Sequence, residues 1–272
     1  MAYSDFDSFF SDTYFTFGNG EWENGAAGLA ISNSALSSPL TNAGPYCRGF
    51  RATGRTGTSV QSSIKYFYKS SFENGALVNP ADNVAVSSRA WVRMSTPSWE
   101  VASEGGSNRR RAWIGLTSFA EGNTNYFGGW ELALQTTRTS SDPYVTNLVL
   151  RGGPSIGGSN QSAATVNNID YNQLTVAEEG LAFDTWYLIR LDIVPTSADQ
   201  KTITAYRSAD EGVTWNTLAT HETVRGDRDW PGDSYDKRCG FSLGTTNGSL
   251  FTADIDLTAY IDRFQIGVET VS

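Results

Sequence analysis

The stretch TWYLIRLDIV, residues 185–194, decides the fold. Tyr187, Ile189, Leu191 and Ile193 fall on one side of an extended chain while Arg190 and Asp192 fall on the other, which is the period-two pattern of a strand with one buried face. Working outward, AYIDRFQIGVE (259–269) sets Tyr260, Phe264, Ile266 and Val268 against Arg263, Gln265 and Glu269. AVSSRAWVRM (85–94), RAWIGLTSF (111–119), GWELALQTT (129–137) and TNLVLRG (146–152) alternate in the same way between Gly, Pro, Asn and Ser clusters. Apolar spacing of helical period never persists over three turns. One-sided strands must bury that face against a second layer, so the expected fold is all-β, a two-sheet antiparallel β-sandwich with little helix.

Composition bounds the function. With 18% charged residues, 27 Gly and a net charge of −9, the chain lacks the basic surface that phosphate backbones require, which excludes nucleic acid as a partner. The basic run Arg109–Arg111 reads as a solvated loop. No apolar run reaches the length of a membrane span, and the opening MAYSDFDSFF lacks the basic and apolar regions of a secretion signal. The expectation is a product made in the cytoplasm, without membrane insertion. Cys47 and Cys239 are the only cysteines. They are too few for a disulfide framework and wrongly spaced for a zinc site, and read as two buried thiols; their settings, YCRGF and RCGF, suit neighbouring strands. No repeat or Pro-rich linker divides the chain, so residues 1–272 are read as one domain.

The order of segments carries a resemblance. An aromatic FTFGNGEWENG opening leads to GLAISNSAL, then YCRGFRATG and the four strands above, and finally LAFDTWYLIRLDIV, KTITAYRSADEGVTW, CGFSLGT and AYIDRFQIGVE. From Phe6 to Val268 this succession resembles the concanavalin A-like lectin/glucanase jelly roll, including its laminin G-like members. The resemblance implies a fold that serves lectins, hydrolases, lyases and virion proteins, so function must come from the site.

Four groups of residues are candidates. SADEGVTW (208–215) matches the Asp-box of sialidase-type propellers once. A single copy reads as a structural turn in which Ser208 opens the motif, Asp210 accepts backbone N–H bonds, Gly212 takes positive φ and Trp215 packs back over the hairpin. RGDRDWPGDSYDKR (225–238) gathers Asp227, Asp229, Asp233 and Asp236, oxygen ligands suited to calcium, although Pro231 and the missing final Glu depart from an EF-hand loop. Glycan contacts need flat rings interleaved with hydrogen-bonding side chains, which nominates Trp99, Asn125, Tyr126, Phe127 and Trp230. Trp91, Trp113, Trp186 and Trp215 are assigned to structure.

Catalysis finds little support at this level. The E-x-D-x-x-E strand carried by hydrolytic members of the resembled fold is absent, Glu131 stands without a partner carboxylate, and His221, the single histidine, falls in an expected loop as an exposed bystander. The reading is therefore a non-enzymatic virion protein, a phage capsid decoration, fibre or tail component. It would be located on the particle and partnered by other virion proteins or by itself as a homo-oligomer such as a trimer, with a cell-surface polysaccharide as a further partner. The alternatives are a carbohydrate-binding module or lectin outside virions, and a polysaccharide lyase or glycosidase.

Overall fold

The computed structural model describes residues 2–5, 29–34, 47–53, 61–68, 83–96, 98–99, 110–120, 129–138, 145–153, 175–225, 237–247 and 255–271. Among them are fifteen strands and no helix: β1 (Ala2–Asp5), β2 (Leu29–Ser34), β3 (Cys47–Thr53), β4 (Gln61–Tyr68), β5 (Val84–Met94), β6 (Ser98–Trp99), β7 (Arg110–Ala120), β8 (Gly129–Arg138), β9 (Val145–Gly153), β10 (Thr175–Glu178), β11 (Tyr187–Ser197), β12 (Gln200–Ser208), β13 (Asn216–Val224), β14 (Lys237–Asn247) and β15 (Ile255–Thr270). One sheet runs β13-β12-β11-β5-β15-β3-β2, with β1 and β6 also paired to β15. The other runs β10-β9-β8-β7-β14-β4. Every pairing is antiparallel. The architecture is the expected two-sheet jelly-roll sandwich.

Alternation selects the core. Tyr187, Ile189, Leu191 and Ile193 of β11 pack with Val86, Ala90, Val92 and Met94 of β5, and face Ile114, Leu116, Trp130, Leu132, Leu134, Leu148 and Leu150 of the second sheet. Burying each such side chain stabilises the fold by about 1.5–3 kcal/mol. At one margin the sheets are pinned by Arg207 of β12 and Glu178 of β10, 2.6 Å apart.

Strand β15 departs from its sequence reading. Its register against β5 shifts between Asp262 and Gln265, and Arg263 sits at φ 47°. The extra residue of this bulge reverses the phase of alternation. Ala259 and Ile261 face the core before it, Phe264 and Ile266 after it. Tyr260, expected with Phe264 and Ile266, instead lies on the opposite side of the sheet, its ring 5.7 Å from the Arg93 guanidinium carbon. Val268, expected inside as well, is exposed. Cys47 and Cys239 open β3 and lie in β14, which belong to different sheets and are not neighbouring strands.

Trp130 shows how closely the core is fitted. Its register partner on β9 is Gly152, and a Cβ on that glycine would stand 2.5 Å from the indole. Gly152→Ala is expected to destabilise the protein by about 1–3 kcal/mol through overpacking, measured as a lower urea midpoint at unchanged m-value.

Candidate active site

Strand β8 is buried on both faces from Trp130 to Thr136. Trp130, Leu132 and Leu134 belong to the inter-sheet core. Glu131, Ala133 and Gln135 therefore point the other way, since successive side chains alternate. The register sets Glu131 beside Arg151 of β9, and Gln135 beside Trp113 of β7. The outward side of the six-stranded sheet thus holds a compact polar cluster. The Arg151 guanidinium donates from Nε to Glu131 Oε2 and from Nη1 to Gln135 Oε1 at 3.1 Å, and its carbon lies 4.4 Å from the centre of the Trp113 ring.

Burial makes this cluster energetically consequential. The Arg151 and Glu131 side chains are 5% and 1% exposed, so the charges interact outside bulk water, where each needs the other to offset its desolvation. Trp113 is equally buried, and its indole Nε1–H has no hydrogen-bond partner among the described residues. An orphaned buried donor costs free energy, and here it lies in a cluster that the inter-sheet core does not require. The floor is kept low by Gly115, where a Cβ would meet the Leu132 carbonyl oxygen at 2.7 Å.

Glu131, read as lacking a partner carboxylate, is paired instead with the Arg151 guanidinium on the adjacent strand. Arg151 was legible in TNLVLRG as the residue alternating with Asn147 and Val149 on the face opposite Leu148 and Leu150. His221 is corrected too. It lies in β13 rather than a loop, half-buried, with its ring 4.7 Å from that of Trp130. Trp99 pairs through β6 with Ile255 of β15. The other glycan candidates, Asn125, Tyr126, Phe127 and Trp230, and the calcium candidates Asp227, Asp229, Asp233 and Asp236, lie outside the described residues. Among the described residues no group of acidic, His or Cys side chains is arranged to hold a metal ion, and no helix is long and apolar enough to cross a membrane.

The SADEGVTW segment forms a closed turn. Ser208 Oγ donates to Asp210 Oδ1 at 2.8 Å and accepts from the Gly212 N–H at 2.8 Å, while Asp210 takes the Thr214 N–H at 2.8 Å and the Thr214 hydroxyl at 2.6 Å. Gly212 adopts φ 88°. Trp215 lies over the outward side of the nine-stranded sheet, its ring 4.7 Å from the Arg190 guanidinium carbon. The Thr214 hydroxyl, the Thr214 N–H and the Ser208 hydroxyl hold the Asp210 carboxyl down to about 2.

Comparison with known proteins gives fold-level likeness. No protein-family model and no curated protein matches the chain. Among solved structures, the alginate lyase from Klebsiella pneumoniae is similar with a TM-score of 0.40 at 12% identity, covering 84% of this chain and 82% of that one. The marine PL-14 alginate lyase from Aplysia kurodai gives 0.38 at 14%, covering 88% and 87%. The CBM2 module of the evolved Dit of Lactobacillus casei BL23 phage J-1 gives 0.34 at 11%, covering 99% and 96%. The expectations of a non-enzymatic virion protein and of a chain without enzymatic activity are corrected: several of the similar structures are alginate lyases, beside a phage module.

Two outcomes follow from the geometry. Arg151→Met strands a buried carboxylate and is expected to cost about 3–5 kcal/mol in chemical denaturation. The depressed Asp210 carboxyl contributes stability that is present above the ordinary aspartate value of 3.8 and is lost as pH falls through about 2. A carbon-detected NMR titration is expected to place its midpoint below those of freely solvated aspartates, and Thr214→Val is expected to move that midpoint upward.

Proposed function

We propose that this chain is a glycan-active enzyme of the polysaccharide lyase type, working on an acidic polysaccharide at the Glu131–Arg151–Gln135–Trp113 cluster. The carrying observation is the buried carboxylate–guanidinium pair beside an indole donor that has no partner among the described residues, on the sheet side that the core leaves over. A uronic-acid chain suits these groups. Its carboxylate matches the planar fork of Arg151, and a sugar oxygen would satisfy the Trp113 N–H.

The chemistry that fits is β-elimination. Cleavage requires removal of the proton on the carbon next to the carboxyl group, charge neutralisation at that carboxyl, and departure of the glycosidic oxygen with a proton. Arg151, steered by Trp113 and Gln135, takes the neutralising role, because a fixed cation stabilises the developing enediolate more than the ground-state carboxylate. Both side chains are buried in the free chain, so the sugar has to open the cluster as its carboxylate takes the place of Glu131 on Arg151; Glu131 then accepts the proton from carbon and returns it to the departing glycosidic oxygen, which balances the step. The products are one new reducing end and one end with a carbon–carbon double bond.

The test is incubation with alginate, polygalacturonate or hyaluronan while ultraviolet absorbance of unsaturated ends is followed. Absorbance is expected to rise with at least one polymer and to fall by roughly 10²–10³ in rate for Arg151→Gln and for Glu131→Gln. New reducing ends without unsaturation would replace the lyase with a hydrolase, and inertness towards all acidic polymers would end the enzymatic reading.

A further inference from the structure

The outward side of the nine-stranded sheet is largely closed, with Ser87, Leu188 and Asp262 among its buried residues. It opens at one end. There the register sets Tyr260 of β15 beside Arg93 of β5. Trp186, the residue before β11, continues this row, because Tyr187 pairs with Val92 one step along. Tyr187 faces the core, so Trp186 faces outward. The Trp186 and Tyr260 rings stand 6.4 Å apart between centres, inclined at 57°, and both residues stay partly exposed.

Beside this row the chain turns at Asp184, which adopts φ 59°. A non-glycine residue in the left-handed region carries a conformational cost, and three contacts hold it there. The Asp184 N–H donates to the Met94 carbonyl at 2.9 Å. Its Oδ1 accepts from Arg93 Nη2 at 3.0 Å and from Ser95 Oγ at 3.1 Å. Both side-chain contacts fall on one carboxylate oxygen, so Oδ2 has no hydrogen bond among the described residues. The Asp184 side chain is 49% exposed and that of Arg93 19%, and an ion pair in such a setting adds at most about 1 kcal/mol to stability. What the contacts secure is position: a carboxylate with one uncommitted oxygen, a guanidinium and two aromatic rings are fixed within one small surface.

We propose that Asp184, Arg93, Trp186 and Tyr260 form a binding site for an uncharged sugar residue of a polysaccharide, on the opposite side of the sandwich from the Glu131–Arg151 cluster and independent of the lyase reading. Hydroxyls on neighbouring sugar carbons both donate and accept, so one donates to Asp184 Oδ2 while the next accepts from the Arg93 guanidinium. The apolar flat side of the sugar packs on an aromatic ring. Because the two rings are inclined, a sugar stacks on one and abuts the other, which favours one orientation. Charge selects the class of ligand. The carboxylate and the guanidinium cancel locally, and the chain carries a net charge of −9, so the site holds no surplus cation for an anionic group. Trp, Tyr and Arg are also the side chains on which binding energy concentrates at protein surfaces, and here the three occupy one row.

The test is affinity electrophoresis of the full chain in native gels containing dextran, mannan, galactomannan or xylan, with polygalacturonate as the anionic comparison. Retardation is expected with at least one neutral polymer, and it should persist as salt is added, because the ligand carries no charge to be screened. Asp184→Asn tolerates the same backbone conformation and is expected to weaken binding about tenfold, since a charged acceptor becomes a neutral one. Trp186→Ala removes a stacking surface and is expected to weaken binding by about three- to tenfold. Asp184→Asn answers the question even if Trp186→Ala fails to fold. Weakening in either variant at a little-changed urea midpoint supports the site. Absence of retardation by every neutral polymer, retardation by polygalacturonate alone, or retardation unchanged in both variants would overturn the proposal. Because the lyase reading is scored by unsaturated ends and this one by retardation in neutral polymers, either can fail while the other stands.

Discussion

The whole arrangement depends on a geometric constraint of the extended chain: successive side chains leave on opposite sides. A sandwich needs only one side of each sheet for its core. In β8 the core takes Trp130, Leu132 and Leu134, which forces Glu131 and Gln135 to the other side whatever their chemistry. In β11 the core takes Tyr187, Ile189, Leu191 and Ile193, which delivers Arg190 and Asp192 outward. Each outward side lies outside the inter-sheet core, and its polar residues are brought together across strands by register.

What register brings together differs between the sheets. On the six-stranded sheet a carboxylate meets a guanidinium in a buried setting, so each charge compensates the other and neither can be removed cheaply. On the nine-stranded sheet two guanidinium groups meet on a largely buried outward side, where rings, an amide and Asp192 hold them. Burial raises the Asp192 carboxyl above its ordinary value, a tendency opposed by the Ser87 hydroxyl and by Arg190. That sign means Asp192 favours folding most in its protonated form and gives up that contribution as pH rises through its raised value.

The sequence made the strands visible because alternation survives in single strands such as TWYLIRLDIV, whose four expected inward residues are all buried. It misplaced Tyr260 because a bulge adds one residue and reverses the phase, and nothing in RFQ announces that Arg263 will take positive φ; Val268 stays in phase with Phe264 and Ile266 but falls in the exposed end of the strand. His221 was read as a loop residue because β13 is an edge strand with an irregular burial pattern, so its alternation is weak. The site was less legible for a different reason. Glu131 was noticed, but its partner lies 20 residues away on the next strand, and no local spacing rule connects them. Only the register does, and register is a property of paired strands.

Turn chemistry, by contrast, is local and can be read directly. In SADEGVTW all the hydrogen-bonding partners lie within six residues of one another, so the motif has the same closed geometry in any hairpin of suitable twist. Its consequence in this chain is not local. By directing Trp215 over Arg190, the turn fixes one of the two opposed guanidinium groups on the nine-stranded sheet. A motif closed by its own hydrogen bonds thereby also places an aromatic ring beside a guanidinium on the nine-stranded sheet.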